Sequence, residues 1–395
     1  MTSTSRPASV ESMRLFDPVP ALPSDAVLLH VGVHKTGTTA VQAALADARP
    51  DLRQKGIAYP GKRKAQHRSA MAVNQRRWGW KDKGGEVYDI SVYEWLVKQT
   101  ARHDGKVAIS SEFFCEGDAE TAQKVVQDLG GDKVHVVIGL RNLGRLLPSS
   151  WQQYLKYGLD MGYERWLTGV FDNNGKATPS FWRRNDNARV VQNWIDAAGA
   201  DHVTVMVLED VDLSSQFRTF AQLLDVPEDL LVSRMDLTSN RSMTAAEAAF
   251  LLQINGRVKP LLTWDEYVKY VRRGVALGMV ESREPGPDEM RLHTPDWALD
   301  AAAEHGARDA EAIAASGARV LGDVSQLAVR VPSSPPTPES VQTELPTAAA
   351  VQAVLTIIEA TRENPELSAK QLRDELWSRT KEDVRLRWRM KSLRP

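Results

Sequence analysis

Gly32-Val-His-Lys-Thr-Gly-Thr-Thr39 is the stretch on which the fold turns. It follows a short apolar run, Ala26-Val-Leu-Leu-His-Val31, and leads into Thr38 to Ala48, where Val41, Ala44 and Leu45 recur at helical spacing. A buried strand, a Gly-x-x-x-x-Gly loop and a helix form the arrangement of a phosphate-binding loop. Consecutive backbone N–H groups in such a loop, joined by the N-terminus of the next helix, make a concave seat for an anion. The glycines allow a tight turn and leave no Cβ in the ligand's path.

Outward from this loop, three more apolar runs read as strands: Lys106 to Ser111, Val134 to Gly139 and Val203 to Leu208. Helical stretches such as Ala119 to Leu129 and Ala188 to Ala198 separate them. Strands alternating with helices predict an α/β fold, a P-loop-type three-layer sandwich with a central parallel sheet. Beyond about residue 245 no convincing strand is visible, and a mostly helical C-terminal region is expected. Its helices read as Thr244 to Asn255 with Thr244 as N-cap, Trp264 to Val275, and Pro295 to Ala315. The expected organisation is a flexible leader over 1–25, the α/β domain over 26–245 and a helical extension packed on it over 246–328. A Pro/Ser/Thr-rich linker over 329–347 and a C-terminal helical segment with a basic tail over 348–395 complete it.

The chain has 395 residues, enough for one large α/β domain with an appendage. A formal net charge of −1 argues against bulk attraction to nucleic acid or acidic membranes. Cys115 is the single cysteine, which excludes an intrachain disulfide and a cysteine metal cluster and fits a reducing compartment. With no long apolar run near Met1, the expected location is cytoplasmic, with no membrane span.

The lysine of the loop is displaced. A nucleoside-triphosphatase loop places it directly after the second glycine, whereas here Thr38 follows Gly37 and the lysine is Lys35. Transfer of a group other than phosphoryl is therefore expected, and no magnesium partner is apparent. The run Lys35-Thr-Gly-Thr-Thr39 after a strand resembles the 5'-phosphosulfate-binding motif of the sulfotransferase superfamily. The longer match, His34 to Thr39 with Gly56-Ile-Ala-Tyr-Pro60 downstream, is similar to a bacterial subgroup of it. The resemblance implies a transferase using 3'-phosphoadenosine 5'-phosphosulfate as co-substrate without a metal. It assigns Lys35, Thr38 and Thr39 to the phosphosulfate, with Gly32, Thr36 and Gly37 completing the loop.

A donor with a phosphate at each end needs two anion seats. The family's second motif, an arginine at a strand end and a serine eight residues later, is matched by Arg141 and Ser149. Arg141 offers a bidentate fork. Pro148 predicts that the helix starts near Arg145, so that the proline falls in its first turn. Arg241, in Asn240-Arg-Ser242, is a further candidate for the 3'-phosphate.

The acceptor must lose a proton, and the family uses histidine or glutamate as base. His67 is the first choice, since an imidazole titrates near neutrality and the resembling subgroup carries a histidine after the Tyr-Pro segment. Glu112, ending a strand where open α/β sheets place ligands, is the second, as base or as a residue orienting His67 or Lys35. His34 reads as loop packing and His30 as core. Trp151, Tyr154, Lys156 and Tyr157 are open between an acceptor cleft and core packing.

A hydroxyl or amine acceptor is expected, with carbohydrate, glycolipid and small metabolite all open. The competing readings are a magnesium-dependent P-loop kinase or NTPase and a non-catalytic nucleotide-binding or scaffold protein.

Overall fold

Five parallel strands build the sheet: β1 (Val27–His30), β2 (Val107–Ser110), β3 (Val134–Leu140), β4 (Val203–Val207) and β5 (Arg319–Leu321), in the order β2-β1-β3-β4-β5. The computed structural model describes residues 18–172, 180–208, 214–235, 241–281 and 284–333, together with Ala353 and Ile357. Strands β1 to β4 are buried along their whole length and mostly apolar, as a sheet covered on both faces requires, with His30 paired to Ser110 and His135 to Thr204.

The helices that cover the sheet and its C-terminal end are α1 (Thr38–Asp47), α2 (His67–Val73), α3 (Ala119–Leu129), α4 (Leu143–Leu155), α5 (Asn187–Ala198), α6 (Ser215–Leu224), α7 (Ala245–Val258) and α8 (Asp296–Ala314). Alternate strand residues feed two cores. Val27, Leu29, Val136 and Ile138 pack with α2, α3 and α5, whereas Leu28 and Val137 pack with α1 and α6. The result is the three-layer α/β sandwich expected. A third cluster, centred on Leu147, Trp166, Phe181, Leu251 and Tyr267, joins α4 to the later helices.

Four expectations need correction. The region beyond residue 245 is mostly helical, as expected, but it does contribute a strand: Arg319–Leu321 returns as the edge strand beside β4, with Val320 and Leu321 buried. Residues 18–25 of the expected leader are docked in part, because Val19 is buried and its amide donates to Gln222 Oε1 at 3.0 Å. The expected helix over 264–275 holds an α-helical turn only over Trp264–Glu266 and then runs as a π-helix over Tyr267–Leu277. Finally, α4 begins at Leu143 rather than near Arg145. Asn142 caps it by accepting from the Arg145 amide, and carbonyls of Gln326, Leu327 and Val329 anchor the Asn142 amide. Pro148 therefore sits inside the helix, at the cost of one backbone hydrogen bond.

No helix among the described residues is long and apolar enough to cross a membrane. Apart from residues 329–333, Ala353 and Ile357, the expected linker and C-terminal segment, including its basic tail, lie outside the described residues.

Candidate active site

The strand order puts a topological switch between β1 and β3: the chain leaves β1 for the edge strand β2 and returns on the other side to β3. Open α/β sheets bind ligands at such a switch, beyond the carboxyl ends of the strands. The 32–37 loop leaves β1 there, and Arg141 follows β3 directly. The loop lies across that strand end, with the Val33 amide donating to the Gly139 carbonyl at 3.1 Å. Arg141 and Lys35 thus both follow strands at the same end of the sheet, on neighbouring strands.

The loop backbone is strained in a purposeful pattern. Gly32, Lys35 and Gly37 all have positive φ, at 42°, 70° and 75°. For a lysine this conformation costs about 1 kcal/mol. A Cβ on Gly37 would meet Gln216 Nε2 at 2.7 Å, and one on Gly32 would meet Thr38 Cγ2 at 2.5 Å. Thr36 locks the turn by donating its hydroxyl to the Val33 carbonyl at 2.6 Å. No side chain caps α1, and among the described residues the backbone amides of Lys35 through Thr39 donate to no protein acceptor. Five successive unspent donors at a helix N-terminus are an anion seat. Thr38 is buried at this turn and Thr39 is exposed on it.

Half-buried Lys35 donates to a neutral partner, Gln153 Oε1 of α4, at 3.0 Å. Burial pulls its ammonium down to about 8; Glu112 counters this, while Arg272 and Arg184 add to it. Lys156, three residues beyond Gln153, is likewise held at about 8 by burial and by the charges of Lys35 and Arg272. This is a cationic cluster short of negative charge. Ser149 lies one turn before Gln153 on α4, with its hydroxyl donating to the Leu146 carbonyl at 3.0 Å.

His67 and Glu112 come together across the end of β2. His67 Nδ1 is 2.9 Å from Ser111 Oγ and 3.6 Å from Glu112 Oε2, and its ring stands edge-on to Phe113 at 5.2 Å. Gln42 of α1 donates to Glu112 Oε2 at 2.9 Å. Burial pushes the Glu112 carboxyl up, but His67, His34 and the Gln42 amide together bring it below the usual range. Glu112 is therefore an ionised group linking α1 to His67.

Beneath the loop, His34 Nε2 lies 3.2 Å from Glu116 Oε1, which accepts from Arg184 Nε at 2.8 Å. Burial disfavours the Glu116 charge, yet Arg184 and His34 hold its carboxyl down at about 2. Burial and Arg184 together depress His34. His30 is core, paired with Ser110 Oγ at 2.8 Å.

Whereas Lys35 donates to an amide, Arg241 makes a two-point contact with a carboxylate. Its two terminal nitrogens bond both oxygens of Glu247, at 2.8 and 2.9 Å, and one of them also donates to the Met279 carbonyl. Glu247 is fully buried and closes a capping box with Thr244 at the start of α7. This arginine is committed to holding a helix end.

A cavity of about 250 Å³ opens beside this site, with Phe113, Glu116, Tyr154, Tyr157, Arg184 and Trp264 in its wall. Trp151, by contrast, is buried core and donates to the Met161 carbonyl. Gln42, Gln153, Glu116 and Arg184 escape a reading of the sequence because each acts across 68 to 118 residues of chain. No local pattern marks them.

Among the described residues, one trio of titratable side chains could share a cation: Asp186, His305 and Asp309, with ligand atoms within 4.8 Å of one another, between the start of α5 and α8. It contains none of the loop residues. No protein-family model, no curated protein and no solved structure matches the chain.

Proposed function

We propose that this protein transfers a sulfuryl group from 3'-phosphoadenosine 5'-phosphosulfate to a hydroxyl or amine of a small-molecule or glycan acceptor. One observation carries the reading: a loop with five unspent amides around Lys35 leaves β1, and an arginine follows the neighbouring strand β3 at the same end of the sheet. Two cationic positions at one end of the sheet suit a nucleotide with an anionic group at each end. The neutral partner of Lys35 supports it too, because Gln153 can give way to an incoming phosphate without abandoning a carboxylate.

In this reading the loop amides and Thr39 hold the phosphosulfate, and Arg141 and Ser149 take the 3'-phosphate. Lys35 neutralises charge growing on the departing 5'-phosphate as the bond from sulfur to its bridging oxygen breaks. Once Nδ1 of His67 donates to Ser111, Nε2 is left as the acceptor that removes the proton from the attacking group. Glu112 orients the ring and stabilises the imidazolium as it forms. Its depressed carboxyl makes it a poorer base and a better positioning residue.

The test is incubation of the full chain with the ³⁵S-labelled donor and a fractionated metabolite extract, followed by mass spectrometry. The expected result is a sulfated product that is lost in His67→Asn. Phosphorylated products from ATP and magnesium instead would overturn the proposal.

A further inference from the structure

The cavity beside His67 has a composition the transfer chemistry alone does not require. Its wall holds four arginines, Arg76, Arg77, Arg183 and Arg184, against one carboxylate, Glu116. Glu116 is consumed by Arg184 at 2.8 Å, and Arg77 spends a terminal nitrogen on the Gly85 carbonyl. Arg76 Nε is buried without a hydrogen-bond partner, and Arg183 has no carboxylate partner among the described residues. Clustering unpaired guanidinium groups beside one another costs free energy in the empty protein and returns it when an anion enters. Burial, and after it the charge of Arg183, depress Arg76, while Glu116 and Asp118 oppose them.

The opposite part of the wall is aromatic and stiff. Trp78 meets Trp264 at 5.9 Å and Tyr157 at 5.3 Å, and Trp80 meets Trp264 at 5.5 Å. The Trp80 indole N–H is already spent on the Tyr157 carbonyl at 3.0 Å. Arg272 lies over the Trp78 and Tyr157 rings at 5.7 and 5.2 Å, fixing them. An aromatic face of this kind offers stacking to the C–H face of a ring. Tyr154 and Ser180, sharing a hydrogen bond of 3.1 Å, add hydroxyls for polar substituents. At about 250 Å³ the space suits a metabolite or the end of a saccharide rather than a folded partner.

We propose that the acceptor taken here is an acidic sugar, its ring against the Trp78–Trp80–Trp264 wall and its carboxylate on Arg76 and Arg183. The inference rests on the sulfotransferase reading, and it places the sugar's reactive hydroxyl toward Phe113, against which His67 stands. A planar carboxylate matches guanidinium forks.

Calorimetry on the full chain separates the two ideas. The chain is first titrated with adenosine 3',5'-bisphosphate, and the nucleotide-saturated protein is then titrated with methyl β-D-glucuronide or with methyl β-D-glucoside. The expected result is at least a tenfold preference for the glucuronide, which falls to less than threefold in the Arg76→Gln, Arg183→Gln double variant while bisphosphate binding is retained. Equal affinity for the two sugars in the unaltered protein, or binding of neither, overturns the acidic-sugar inference and leaves the donor site standing. Glucuronide binding without bisphosphate binding removes the sulfotransferase reading, and with it the acceptor role of the cavity.

Discussion

Two cations of this protein, Lys35 and Arg241, are both candidates for holding a phosphate, and their surroundings differ in kind. Arg241 faces a fully buried carboxylate in a two-point contact and closes the start of a helix. Lys35 faces an amide, sits in a conformation unfavourable for a lysine, and shares its neighbourhood with further positive charge. A cation whose counter-charge is supplied by the fold is part of the fold. One whose counter-charge is missing is poised for a ligand. The same contrast separates Arg184, matched by Glu116, from Arg76 and Arg183 in the neighbouring cavity.

The sharpest way to break this contrast is substitution at each pole. Lys35→Ala is expected to lower kcat for sulfuryl transfer by about 10³-fold, in line with loss of a preorganised charge at the departing group. It should leave the melting temperature unchanged or higher, since a half-buried charge only partly offset by Glu112 is removed; steady-state kinetics and calorimetric melting read the two effects. Arg241→Ala should do the reverse. Taking the guanidinium away from fully buried Glu247 should cost about 3 kcal/mol of stability, measured by urea unfolding, with bisphosphate affinity changed less than threefold.

His67→Asn should cut kcat by about 10²-fold without altering bisphosphate affinity, while Glu112→Gln should have a smaller effect and shift the pH profile of kcat, as a positioning residue would. Gly37→Ala introduces a Cβ against Gln216 at positive φ. About 1 kcal/mol of stability should be lost, together with most of the nucleotide affinity, because the amides around it move. The smallest effect concerns pH. Lys35 and Lys156 are held at about 8, and a bisphosphate favours their protonated forms. Affinity should be full below pH 8 and decline as pH rises above it, by about tenfold toward pH 9.5, with proton uptake on binding in that range.

How much of this was legible in the residues differs by element. Strands β1 to β4 announce themselves because a strand covered on both faces must be largely apolar. The edge strand β5 does not, since three residues beginning with an arginine are too few to show a period and become a strand only by docking on β4. The loop was legible through its glycines, which report a backbone requirement directly. Arg241 was legible as a cation but not as a spent one, because Glu247 is an ordinary acidic residue in an ordinary helix until the fold buries it. The π-helical run was hidden because its apolar spacing also fits a regular helix. Partnerships such as Lys35 with Gln153 are tertiary and carry no signature in either segment alone.

The most direct test of the central claim is calorimetric titration of the full chain with adenosine 3',5'-bisphosphate without magnesium, beside ATP with magnesium. The expected outcome is micromolar binding of the bisphosphate, weakened at least tenfold by Lys35→Ala and by Arg141→Ala separately, with ATP bound far more weakly. Tight magnesium-dependent binding of ATP, or bisphosphate binding indifferent to both substitutions, would contradict the account.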